Sequence, residues 1–328
     1  MSEIESPENQ PVSPWLHRLA VLLVCLTWPL IWIGGLVTTY DAGMAVPDWP
    51  QTYGFNMFLY PWKTWLLGPF DLLIEHGHRL LASVVGFLTI AAMAVAYARE
   101  PRRWVYWLSV LTFVAVLFQG VLGGLRVRLD ARTLAMLHGC FGPTFFVLCV
   151  ILAGVTGKVW LTVGRSKASI RVSRQSFRLA ATLASGAFLQ IILGAQLRHV
   201  QVTASTGGFR HLVWTHIAVA VLVLLLTSWL AWRLTRCGDL TLSKPGMFLV
   251  VLVALQIGLG LLTWAANYGW PWMLDDWPLA ARHLIEAKGW WESMITTSHV
   301  AIGSLILSIA SLVTLRTARA IDAASDVV

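Results

Sequence analysis

Four histidines, His78, His138, His216 and His299, fall at matching depths of four apolar segments. An ionisable side chain inside such a segment is costly and is a functional candidate by default. Neutral imidazole is a common metal ligand, and facing helices of a bundle commonly hold metals or cofactors between them. Two axial pairs would each clamp one haem iron, and a single four-histidine metal site is the competing geometry. A hydrogen-bonded packing role explains one such histidine more easily than four. Arginines on the same side favour a porphyrin, whose propionates need cationic or hydrogen-bonding partners: Arg79, Arg126, Arg128, Arg132, Arg198 and Arg210.

One carboxylate breaks the equivalence of the four positions. In "LLIEHGHRLLA", residues 72 to 82, Glu75 stands three residues before His78 and so on the same helix face. The counterpart of Glu75 in "RHLVWTH" is Val213. That difference separates a reaction centre from an electron-transfer centre. Glu75 also has a structural reading, as a helix-start charge paired with Arg79 at i+4, and the two roles can coexist. His76 should point away from His78 and is read as peripheral, as are His17, His199 and His283. His211, five residues before His216, is read as an edge or propionate contact.

The elements that must position these groups are membrane helices. The 328 residues are 57% hydrophobic and 12% charged, with a mean hydropathy of +0.69, against about 25% charged in ordinary globular proteins. Eight apolar segments run over about 16–38, 76–98, 105–125, 133–156, 176–198, 212–233, 246–268 and 293–315, each near the roughly 20 residues that span a bilayer. The net charge of +8 does not point to nucleic acid. Of 24 Lys and Arg, 15 fall on the side that holds both termini, which the positive-inside rule makes cytoplasmic, in a cell inner or plasma membrane. The four cysteines include no metal-spaced pair. Residues 1–14 lack the basic start of a signal peptide.

"FQGVLGGLRVRL" (118–129), "LQIILGAQLRHV" (189–200) and "LQIGLGLLTWA" (255–265) end the third, fifth and seventh segments alike, and "WIGGLVTTYDAG" ends the first more loosely. Gln119 and Gln256 are 137 apart, and His78 and His216 are 138 apart. The expectation is an all-α polytopic protein of eight transmembrane helices in two pseudo-symmetric four-helix bundles, related by an axis along the membrane normal. Its parts are a cytoplasmic tail (1–15), an amino-terminal bundle (16–156), a basic linker (157–175), a carboxyl-terminal bundle (176–315) and a second tail (316–328). His78 and His138 then share one site, and His216 and His299 the other. Two long outer connections rich in Trp, Pro and Gly, one after the first segment and one before the eighth, are candidates for a lid. A small-residue helix face leaves room for a homo-oligomer.

With these residues the sequence resembles the haem A synthase family across essentially all eight segments. The resemblance rests on "EHGHR", "LHGCFG", "THIAVA" and "TSHVAIG", with "DAGMAVPDWP" after the first segment. It implies that His216 and His299 bind a haem b cofactor, and that His78 and His138, with Arg79, bind the haem O substrate. Glu75 matches the family's essential acidic residue. The implied reaction oxidises the C8 methyl group of haem O to a formyl group through two hydroxylations, giving haem A for terminal oxidases. Implied partners are haem O synthase, a membrane electron acceptor and the oxidase assembly pathway. Where many members carry a cysteine pair around Pro-Asp-Trp-Pro, this chain has Val46 and Thr52, so aromatic and proline packing is expected to shape that loop. A dihaem cytochrome that only moves electrons would use the same histidines and leave Glu75 incidental. A haem or metal transporter would continue its polar groups toward the cytoplasmic side, which this sequence does not.

Overall fold

The computed structural model describes residues 13–164, 172–200, 204–268 and 289–325. Part of the basic run joining the fourth and fifth segments, most of the second long connection with His283, and parts of both tails lie outside the described residues.

All eight apolar segments are helices: α1 (Pro14–Thr39), α2 (Phe70–Arg99), α3 (Arg103–Arg128), α4 (Arg132–Thr156), α5 (Arg174–Arg198), α6 (Thr206–Cys237), α7 (Leu240–Tyr268) and α8 (Trp290–Ser325). Among the described residues the only pairing outside helices is a single β-bridge between Thr52 and Phe55. Helices are forced on an apolar chain in lipid, because each backbone N–H and C=O must be satisfied within its own segment. The serines and threonines in these helices follow the same rule. Thr112, Thr227 and Ser308 donate to the carbonyls of Leu108, Val223 and Ser304 at 2.8, 2.7 and 2.8 Å. Caps mark the boundaries where the apolar pattern gives out. Ser205 accepts from Gly208 N at 3.1 Å to start α6. Gly238 ends it at φ 77°, a left-handed conformation that glycine adopts without a Cβ clash.

Helix ends differ from the sequence expectation. α2 starts at Phe70 rather than near residue 76, which sets Glu75 and His78 one and two turns inside the helix. α6 starts at Thr206, so His211 lies within it and is exposed. α8 carries on to Ser325 through most of the expected tail. A short helix, Lys158–Thr162, occupies the start of the expected linker.

α1 packs on α2 and α4, and α3 on α2 and α4; likewise α5 packs on α6 and α8, and α7 on α6 and α8. The two groups meet through α1 and α4 against α8, and through α4 against α5. Separate apolar clusters fill each group. Leu16, Leu23, Val85, Phe145 and Leu152 belong to the first, and Leu183, Leu230, Leu249, Ile306 and Val313 to the second. Phe87, Leu117, Leu225 and Val251 instead face outward, where lipid is their natural solvent. Polar contacts lock the seam: Trp28 Nε1 donates to Ala301 O at 3.2 Å, and Arg198 donates to Gly35 O at 2.6 Å and to the Thr39 hydroxyl.

At the opposite end, Arg102 is 2% exposed and grips both oxygens of buried Glu100 at 2.6 and 3.1 Å while donating to Val155 O at 3.0 Å. It ties the α2–α3 turn to α4. Removing one partner of such a buried pair strands the other charge, at a cost of about 3–5 kcal/mol. Arg102→Ala is therefore expected to lower the thermal midpoint of the detergent-purified protein by far more than Arg103→Ala at the exposed neighbour, measured by tryptophan fluorescence.

Candidate functional site

The structure brings the four histidines together as two pairs. His78 (α2) and His138 (α4) have ring centroids 6.3 Å apart with planes at 80°, and His216 (α6) and His299 (α8) have centroids 6.3 Å apart with planes at 61°. Two imidazoles on opposite sides of one metal ion, each nitrogen about 2.0–2.1 Å from it, have ring centres about 6 Å apart. The pairs therefore fit axial ligation of an iron between them. Among the described residues no three His, Cys, Asp or Glu groups converge on one point, so the single four-histidine site does not form.

Each imidazole lies against a glycine of the preceding helix. A Cβ built on Gly34, Gly123, Gly194 or Gly260 would sit 2.9, 3.2, 3.6 or 3.1 Å from Cε1 of His78, His138, His216 or His299. Nδ1 of His78, His138 and His216 is buried with no hydrogen-bond partner. His299 Nδ1 lies 3.2 Å from Gln256 O, and its Nε2 lies 3.4 Å from Gln256 Nε2. The sequence carried this signal as a glycine in each repeat, but glycine there reads equally well as close helix packing.

Above the first pair stands Glu75, 1% exposed. Its Oε1 accepts from Arg79 Nε at 3.1 Å and its Oε2 from Arg126 Nη2 at 3.2 Å. The i+4 pairing with Arg79 and a place at the site thus hold together, and Arg126 is a second partner that helix spacing within α2 does not reveal. Arg79 also donates to the carbonyls of Asp48, Gln51 and Val46 at 2.7, 3.2 and 2.7 Å, fastening the loop between α1 and α2 over the carboxylate. Val213, the counterpart of Glu75, instead joins an apolar cluster with Phe209, Leu197, Val200 and Trp264.

That loop is ordered by polar contacts as much as by aromatic packing. Asp48 accepts from Tyr53 N at 2.9 Å and Gly54 N at 2.7 Å. Burial pushes the Asp48 pKa up, but the N–H groups of Gly54 and Tyr53, its own N–H and the Arg79 charge outweigh it and hold the carboxyl below 3.8. Trp49 lies against Gly124, where a Cβ would sit 2.3 Å from its ring. Val46 and Thr52 are both fully buried, and the Thr52 hydroxyl meets His76 Nδ1 at 3.2 Å.

His76 is consequently not peripheral. It is 1% exposed and packed between Tyr60 and Trp65, with ring centroids at 5.4 and 5.0 Å; pointing away from His78 aims it into the loop. His199, read as peripheral, is half-buried beyond the end of α5 and borders a cleft of about 300 Å³ with Arg132, Gln196 and Phe209. Burial first, then the charges of Arg198, Arg126 and Arg132, lowers its pKa to about 4. His17 meets Thr156 Oγ1 at 3.2 Å, far along α1 from the site. Arg128, Arg132 and Arg210 are exposed.

The pattern of the COX15-CtaA family, described as cytochrome oxidase assembly protein, matches residues 68–285. The chain is 26% identical over 271 residues to the heme A synthase of Symbiobacterium thermophilum, covering 75% of this chain and 83% of that protein. It is 28% identical over 199 residues to the heme A synthase of Shouchella clausii, covering 59% and 60%. With the heme A synthase of Bacillus cereus strain 03BB102 it shares 29% identity over 152 residues, 44% of each chain.

Two outcomes check the geometry. Gly260→Leu is expected to drive a side chain into the His299 ring and to lower the thermal midpoint of the detergent-purified protein, with Gly258→Leu, whose Cβ meets nothing within 4 Å, as control. The lowered Asp48 pKa means that its stabilisation is complete above about pH 3.8 and lost as pH falls through the depressed value. Asp48→Asn should then lower stability at neutral pH and flatten the acid limb of the thermal-midpoint profile.

Proposed function

The chain belongs to the COX15-CtaA family of cytochrome oxidase assembly proteins, and we propose that it is a haem A synthase, oxidising the C8 methyl group of haem O to the formyl group of haem A for terminal oxidases. The observation that carries this reading is the inequality of two otherwise equal sites: both hold imidazole pairs at 6.3 Å, and only the first has a carboxylate one turn away. A cytochrome with two permanent haems has no use for that difference.

In this reading the helices form two four-helix units in a cell membrane, with the histidines near the outer face and both termini in the cytoplasm. His78 and His138 hold the iron of haem O as substrate. Glu75 is the catalytic group, positioned by Arg79, and is suited to accept a proton or stabilise positive charge at the reacting substituent. Arg79 contributes chiefly by fixing that carboxylate and the loop above it, which shields the site from water. His216 and His299 hold a haem b cofactor, which supplies a one-electron redox centre. Val213 and its apolar neighbours keep that second site free of a competing carboxylate. Substrate would arrive from haem O synthase, and electrons would leave to a membrane acceptor.

Expression with a haem O supply, followed by chromatography and mass analysis of extracted haems, is expected to yield haem A or its hydroxylated precursor. Glu75→Ala should lose at least tenfold in product while keeping its haem absorption, in line with the roughly 10²–10⁴-fold contribution of a positioned acid or base. Unaltered haem O beside folded wild type, with a competent acceptor present, would refute the synthase reading. His216→Ala or His299→Ala should remove the resident haem spectrum; retention of the full signal would refute the cofactor assignment.

A further inference from the structure

Glu75 is shared by two guanidiniums whose donors are used very differently. A guanidinium has five N–H donors. Arg79 directs Nε to Glu75, Nη1 to two carbonyls and Nη2 to a third. Arg126 makes one hydrogen bond among the described residues, from Nη2 to Glu75, and its side chain is 16% exposed. Its remaining donors are free for an incoming acceptor. Gly43 leaves room for them, since a Cβ there would sit 2.5 Å from Arg126 Nη1.

The placement of Arg126 matches that of Glu75. Arg126 stands three residues beyond Gly123, the glycine under His138, and so shares its face of α3. Glu75 stands three residues before His78 on α2. Both lie one turn outward from the same imidazole pair. Across the internal repeat of 137–138 residues, Glu75 becomes Val213 and Arg126 becomes Thr263. The second site lacks both members of the ion pair, so the pair belongs to what distinguishes the first.

We propose that Arg126 is the binding group for a propionate carboxylate of the porphyrin substrate, and that this carboxylate displaces Glu75 from Arg126. This rests on the reading of the first pair as the substrate site. The exchange replaces one carboxylate by another at a guanidinium suited to bidentate recognition, so no proton moves and the charge paired with Arg126 is unchanged. Arg79 keeps Oε1 throughout, and Oε2 of Glu75 becomes free to face the substrate. Binding of the correct anionic porphyrin thereby releases the catalytic carboxylate, and a porphyrin without its propionate charge leaves it held.

The test is titration of the full-length, detergent-purified protein, its second site loaded, with ferric haem O and with haem O dimethyl ester, following the bis-imidazole absorption change. Arg126→Gln is expected to weaken haem O binding roughly ten- to a hundredfold, the scale of one charge-assisted hydrogen bond, and to leave the diester unchanged. Arg126→Lys should fall between, Gly43→Ala should weaken haem O severalfold by crowding the guanidinium, and exposed Arg103→Gln at the far end of α3 should match wild type. The resident haem spectrum reports folding in every variant. Wild type should also turn over the diester with a reduced kcat, beyond any change in KM. Equal loss of haem O and diester affinity in Arg126→Gln, or no loss of either, overturns the proposal. Failure of wild type to convert bound haem O would instead count against the synthase reading and leave the binding comparison intact.

Discussion

An imidazole fits closely between two packed membrane helices where the facing helix surface is bare. The ring is flat and wide, and a Cβ on the facing helix at Gly34, Gly123 or Gly260 would press to within 2.9, 3.2 or 3.1 Å of it, while one at Gly194 would make ordinary contact with His216 at 3.6 Å. The equal 6.3 Å spacing of the two pairs follows from four helix contacts built the same way. Small residues in membrane helices are usually credited with bringing backbones together. Here the closeness serves the ring as much as the helices.

The loop between α1 and α2 follows from a different constraint, the cost of a buried carboxylate. Glu75 needs partners where water is scarce, and Arg79 and Arg126 supply them. A buried guanidinium in turn needs acceptors beyond one carboxylate, and the carbonyls of Val46, Asp48 and Gln51 are the acceptors at hand. The Asp48 turn and Trp49 against Gly124 then close the loop without a disulfide. One acidic side chain thus accounts for the shape of a connection some thirty residues earlier in the chain.

The sequence disclosed most of this architecture because lipid leaves a chain few choices. Each apolar run had to be a helix, and matching histidines on α2, α4, α6 and α8 had to share a layer. Glu75 stood out against Val213 for the same reason, since a repeat makes any departure visible. Contacts between segments were less legible. The bond between Arg126 and Glu75 joins residues 51 apart, and no periodicity connects them. His76 looked dispensable because helix geometry turns it from His78, yet the surface it faces is an ordered loop whose path the sequence does not spell out. Helices start ahead of their apolar stretches where aromatic and polar residues, as in "FDLLIE" and "TGGFRH", extend them.

The distribution of the glycine contacts also defines the smallest repeating part of this protein. Each supporting glycine and its histidine lie on two consecutive long helices, so one hairpin carries one half of an imidazole pair and cannot complete a pair alone. Two hairpins make a complete pair, and four make the chain. A single hairpin of this kind would acquire a site only by meeting a second copy of itself. The eight long helices of the described residues have the arithmetic of one such hairpin doubled twice.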